Sequence, residues 1–104
     1  MAGSKPVQSE VRLPRGASII GAERIASDFA TAKALNAVLT VPARTNMIVV
    51  IPAAAAHWHP SGTPTSTYGH AVLADKFFVA EHNQLAAKLI LDGGAGAVIA
   101  IYIG

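Results

Sequence analysis

The sequence contains no cysteine. Disulfide bonds and metal sites with thiolate ligands are therefore excluded. A chain without disulfides also suits a protein made in a reducing compartment. Stability must come from packing and hydrogen bonding.

Charged residues are also scarce. They make up 13% of the 104 residues, whereas hydrophobic residues make up 52%; a typical soluble domain is about 25% charged. A chain of this length forms one domain, which buries only roughly 60–65% of the surface of the unfolded chain. We therefore expect some apolar surface to face another subunit.

Neither sign of charge dominates, because eight basic residues face six acidic ones and the net charge is +2. The basic residues are scattered along the chain and form no stripe of the kind that binds nucleic acid. The sequence therefore predicts no nucleic-acid partner.

Long hydrophobic runs are missing as well. The longest, residues 47–56, is interrupted by Pro52 and is far shorter than the ~20 residues of a transmembrane helix. The first sixteen residues are polar and lack the apolar region of a secretory signal. We expect neither a membrane partner nor a secretory leader.

Short β-type runs recur about every ten residues from position 37 onward. They are rich in aliphatic and β-branched residues and are bounded by proline, glycine or polar turns, as buried strands are. A short helix through the alanines is the alternative for the third run. The predicted strands are 37–41, 47–51, 53–59, 77–80, 85–91 and 97–103. We predict an all-β fold, a small antiparallel β-sandwich or jelly-roll-like domain over residues 37–104.

Residues 1–36 are predicted to form an N-terminal arm and a lead-in segment. Proline and glycine in residues 1–17 disfavour a helix, so this part is either a frayed terminus or an extended arm that orders on a neighbouring subunit. Residues 18–36 carry both a helical spacing and a crude alternation. We favour a short helix or an irregular segment there.

The closing run, residues 97–103, is apolar at every position. A strand covered on one side alternates polar and apolar residues, so this one is either central in a two-sided fold or buried by a partner. The candidate subunit-interface residues are Val98, Ile99, Ile101, Tyr102 and Ile103, together with Val11 and Leu13 of the arm.

Histidines form a second pattern, because His57 and His59 flank Trp58. On a strand their rings share one face about 7 Å apart, a spacing that suits two ligands of one metal, with His70 as a third candidate. The cupin family uses a similar pair, but here no acidic residue follows within the next ten positions. We favour the alternative that both rings face solvent or an interface beside a buried Trp58. A pH-sensitive contact between subunits is a further alternative.

Enzyme motifs are missing from the rest of the chain. There is no nucleophile elbow and no close pair of carboxylates for acid–base chemistry, so we predict a protein without catalytic activity or cofactor. The turn-rich segment 60–71 is a predicted surface loop. Its Thr63, Thr65 and Tyr68 are candidate contact residues for a carbohydrate or a receptor, which is the main alternative function.

The order of these elements resembles that of small β-sandwich proteins of tailed-phage virions, namely decoration or cement proteins and related accessory subunits. The resemblance covers residues 37–104 and is carried by the segments AVLTVPARTNMIVVIP, AHWHPSG, TPTSTYGHA, LADKFFVAEHNQ, LAAKLIL, DGGAG and AVIAIYIG.

That resemblance implies a structural role, in a capsid decoration or cement subunit that stabilises a shell. Its partners would be copies of itself and the major capsid protein or another virion protein. It would be assembled in the host cytoplasm and reside on the capsid surface or at a head–tail position. A small metal-dependent β-barrel enzyme using His57 and His59 is the remaining alternative.

Overall fold

The computed structural model describes residues 16–26, 29–94 and 96–104, and within them the chain forms eight strands. The strands are β1 (Ile19–Ile25), β2 (Lys33–Ala34), β3 (Met47–Pro52), β4 (Ala56–His59), β5 (His70–Val72), β6 (Phe78–Glu81), β7 (Lys88–Leu91) and β8 (Val98–Ile103). One turn of α-helix, α1 (Leu35–Val38), follows β2, and a 3-10 turn (His82–Gln84) follows β6. Neither helical segment in this part of the chain is long and apolar enough to cross a membrane.

The strands form two four-stranded sheets. The first sheet has the order β1-β8-β3-β6 and the second has the order β2-β7-β4-β5. All neighbouring strands are antiparallel. The predicted small antiparallel β-sandwich is confirmed. The closing strand β8 is central in its sheet, with β1 on one side and β3 on the other.

The core lies between the two sheets and follows the two-residue period of the strands. Both sheets and the segment before β3 contribute buried side chains to one cluster. Its members include Phe29, Leu35, Leu39, Ile48, Val50, Phe78, Leu89, Leu91, Val98 and Tyr102. The core therefore uses alternate positions of β3, β6 and β8 and leaves the positions between them facing outward.

The predicted helix or irregular lead-in at residues 18–36 is corrected by β1, which pairs with β8 from Ile19 to Ile25. The sheets therefore include residues well before position 37. This segment forms a strand because Ile25 pairs with Val98 at the inner face. Such tertiary pairing outweighs a weak helical spacing. The predicted arm up to residue 15, with Val11 and Leu13, lies outside the described residues.

The predicted strand at 37–41 is also corrected, because α1 occupies its start. Leu35 and Leu39 lie four residues apart and are both buried, and the Leu39 N–H donates to the Leu35 carbonyl at 2.8 Å. Residues four apart share one face of a helix, so a single helical turn buries both leucines. An extended strand would point them to the same face as well, but about 13 Å apart.

The glycine-rich segment 92–96 has the composition of a hairpin turn, but it does not join two paired strands. It connects β7 of the second sheet to β8 of the first, two strands that are not neighbours. Gly94 has a φ of 87°, which glycine adopts at little cost. The chain therefore passes from one sheet to the other between β7 and β8.

A polar contact closes the core beside β8. The Tyr102 hydroxyl donates a hydrogen bond to the inward-facing Glu23 carboxylate of β1, and the Thr40 backbone N–H donates to the same oxygen at 2.8 Å. Burial, then the hydrogen bond to Glu23 and its negative charge, raise the pKa of the Tyr102 phenol well above its usual value. The contact joins β8, the edge strand β1 and the segment after α1.

We predict that Tyr102→Phe lowers the unfolding free energy at neutral pH by about 1–3 kcal/mol, because the partly buried carboxylate loses a donor. Since folding raises the phenol pKa above its unfolded value of about 10, the stabilisation by the neutral phenol is complete below that pH. It is lost as the pH rises through the folded-state pKa. Urea unfolding followed by Trp58 fluorescence between pH 7 and 11 measures both effects.

The alkaline decline in stability should be smaller in Tyr102→Phe than in the unmodified protein. Tyr68→Phe, which changes an exposed tyrosine, is the control and should retain the full decline. Parallel pH profiles for all three proteins would contradict the assignment.

Candidate functional site

The outward side of the first sheet carries almost only apolar side chains. The strand register arranges them in three rows. The rows are Arg24–Ile99–Ile51, Ala22–Ile101–Val49–Val79 and Ile19–Ile103–Met47–Glu81. We call this surface the apolar face; its only charged side chains among the described residues are Arg24 and Glu81.

This surface is partly open to solvent. Ile99 is 39% exposed, and Met47, Ile51, Val79 and Ile101 are half-buried. An antiparallel sheet with a solvated face normally alternates apolar and polar residues, and the two middle strands here do not. Contiguous exposed apolar surface of this kind is typical of interaction sites.

The predicted interface residues of β8 divide between the two sides of the sheet. Ile99 and Ile101 lie on the apolar face, as an interface requires. Val98 and Tyr102 point into the core and are 0% and 2% exposed, so they offer no surface to a partner. Ile103 belongs to the apolar face by register but is only 2% exposed.

Strand β3 also contributes to this surface, although β3 is not among the interface residues that the sequence predicts. Met47 and Ile51 carry it, whereas Val49 lies between them on the same side but is only 4% exposed. The available signal was the unbroken apolar run from Met47 to Ile51, which has no more polar alternation than residues 97–103. Both runs lie side by side at the centre of the sheet.

The outward side of the second sheet has a different character. His57 and His59 of β4 and Lys88 and Ile90 of β7 occupy it, as the register of the two strands shows. The His57 Nδ1 lies 2.8 Å from the Asp92 carboxylate. The Lys88 ammonium donates to the Thr63 hydroxyl at 3.3 Å. Ala34 and Ala71 lie on the same side, so the sandwich has one almost wholly apolar outer side and one outer side of mixed polarity.

His59 organises the loop that follows β4. Its Nδ1 accepts the backbone N–H groups of Ser61 at 3.1 Å and Gly62 at 2.6 Å. Because an accepting nitrogen carries no proton, the neutral ring is protonated at Nε2, which donates to the Tyr68 hydroxyl at 3.3 Å. The two rings also stack, with centroids 5.5 Å apart.

The histidines do not gather as metal ligands. His57 and His59 share a side of β4, as predicted, but each already has protein partners. His70 lies opposite Trp58 on β5, with its ring centroid 6.2 Å from that of His59. No group of three histidine, aspartate or glutamate side chains in the described residues could hold a metal ion.

Of the three predicted contact residues of the loop, Thr65 and Tyr68 contact each other, whereas Thr63 contacts Lys88. Thr65 and Tyr68 exchange backbone hydrogen bonds of 3.0 and 3.2 Å across a tight turn, and Tyr68 is 54% exposed. At Gly69 the φ is 117°, and an added Cβ would lie 2.8 Å from the Trp58 carbonyl oxygen. Glycine is therefore required where the loop returns to β5.

We predict that His59→Ala speeds the hydrogen exchange of the Ser61 and Gly62 amides roughly tenfold, because each loses its acceptor. Amide exchange followed by NMR measures the rates residue by residue. His57→Ala removes the neighbouring imidazole without touching these bonds and should leave both rates unchanged. Equal rates in His59→Ala and the unmodified protein would show that the imidazole does not hold the loop.

Comparisons with known proteins add no assignment to this geometry. No protein-family model matches the sequence, and neither a curated protein nor a solved structure is similar to the chain.

Proposed function

We propose that this protein is a structural subunit that assembles through its apolar face. The observation that carries the proposal is the contrast between the two outer sides of the sandwich. One presents Ile51, Ile99 and Ile101 in adjacent strands, and the other presents histidine and lysine side chains. Exposure of these isoleucines to water does not stabilise a monomer. Covering them with a partner stabilises the complex by about 25 cal/mol per Å² of buried apolar area.

The size of this surface suits an assembly with many contacts. Four strands at about 4.8 Å spacing and five residues at about 3.4 Å rise give a patch of roughly 300 Å². A contact of this size on two subunits is below the ~1,200 Å² total of stable pairwise complexes. One contact is therefore weak, and additional contacts of the subunit with a shell through other surfaces would strengthen it by avidity.

The finer proposal is a virion protein of the decoration or cement type, as the resemblance of residues 37–104 implies. Such a subunit stabilises a shell by lateral contacts between copies and by contacts with the shell protein. The small sandwich with one apolar side supports this role, and the polar side with its loop would then face solvent.

The test is the mass of the protein in solution as a function of concentration. We predict that the average mass rises with concentration in sedimentation velocity, and that Ile99→Lys combined with Ile101→Lys keeps the protein monomeric. A buried lysine charge at a contact has no partner and opposes association.

Ile90→Lys is the matched control, because Ile90 is also half-buried but lies on the outer side of the second sheet. It should associate like the unmodified protein. Circular dichroism establishes that all variants fold. Monomers at every concentration, or equal loss of association in Ile90→Lys, would overturn the proposal.

A further inference from the structure

The two charges of the apolar face lie at diagonally opposite corners. Arg24 is on the edge strand β1, in the row of Ile99 and Ile51. Glu81 is on the other edge strand β6, in the row of Ile103 and Met47. Both side chains are exposed. The apolar residues lie between these corners.

The separation of the two corners across the strands is similar to their separation along the strands. Three strand spacings separate β1 from β6, which is about 14 Å. Four residues separate the two rows along β8, from Ile99 to Ile103, which is about 13 Å. Because the patch is nearly square, a second copy of it that is rotated by 90° in the contact plane still covers the first copy completely. Orthogonal packing is one of the two common arrangements of stacked sheets.

We propose that a second copy of this chain packs on the apolar face at about 90°, with Arg24 of each copy beside Glu81 of the other. The two-fold axis then lies in the contact plane, perpendicular to the line that joins the two corners. This proposal rests on the proposed function, because it specifies the partner and the orientation for the same face.

Other two-fold arrangements do not pair the charges. An axis parallel or perpendicular to the strands brings each charged corner over an uncharged one. An axis along the line from Arg24 to Glu81 stacks each charge on its own copy, which is repulsive. A two-fold contact is isologous, so the favoured arrangement forms both ion pairs at once.

Glu81 is held in place for this role. Its side chain accepts the backbone N–H of Gln84 and the Gln84 side chain accepts the Glu81 backbone N–H at 3.2 Å, so that the two residues cap the 3-10 turn. A carboxylate has about four acceptor positions, which leaves room for a guanidinium. Exposed ion pairs at a rim select orientation more than they add affinity.

Charge reversal at the two corners tests the orientation. In Arg24→Glu alone, or Glu81→Arg alone, the contact acquires two like-charged pairs, and we expect dimer dissociation constants about tenfold higher. The double variant restores two opposite pairs and should regain the original value. An equal mixture of the two single variants should associate more tightly than either alone, because their contact again has two opposite pairs.

Glu81→Gln is the control for the 3-10 cap, because its amide oxygen can still accept the Gln84 N–H without a charge. Sedimentation velocity at low and high salt measures all the proteins. If the single variants match the unmodified protein, or if neither the mixture nor the double variant recovers, the 90° arrangement is overturned. The proposed function fails separately, if the unmodified protein does not associate or Ile99→Lys with Ile101→Lys has no effect.

Discussion

The structure depends on strand β8, which is apolar on both sides and hydrogen-bonded to β1 and β3. Its inward residues Val98, Ala100 and Tyr102 join the core, and this anchors the strand within the subunit. Its outward residues Ile99 and Ile101 then have a defined place at the centre of the apolar face. One strand therefore both completes the fold and provides the surface on which the proposed function rests.

The edges of the molecule are organised around that strand. The Glu23 carboxylate of β1 accepts hydrogen bonds from the Tyr102 hydroxyl and the Thr40 backbone N–H. The bond to Tyr102 connects an edge strand to the central strand β8. On the opposite side of the sandwich, the His59 ring accepts hydrogen bonds from the backbone N–H groups of Ser61 and Gly62 in the loop after β4. These polar side chains position segments of the chain, and the described residues bring together no group of three metal-ligating side chains.

The sequence predicts the strands whose signal is local. The runs 47–51 and 97–103 are β-rich, end at proline or glycine, and appear as β3 and β8. Strand β1 could not be predicted in the same way, because it is defined by pairing with β8, some eighty positions along the chain. The helical turn α1 was missed because Leu35 and Leu39 fit a helical spacing that the β-type run 37–41 obscures. The glycine content of residues 92–96 does not reveal that the strands before and after them, β7 and β8, belong to different sheets, because strand partners are set by tertiary pairing.

The apolar face was predicted only in part, because its composition also depends on how the strands pair. The closing run shows that β8 is apolar on both sides, but only the register shows which residues point outward and that Met47 and Ile51 of β3 extend the surface. The most direct test of this surface is the concentration dependence of isoleucine methyl signals in NMR spectra. The account predicts that the Ile51, Ile99 and Ile101 methyl signals shift together as concentration rises while that of Ile90 stays fixed. Shifts at Ile90 alone, or at none of the four, would contradict it.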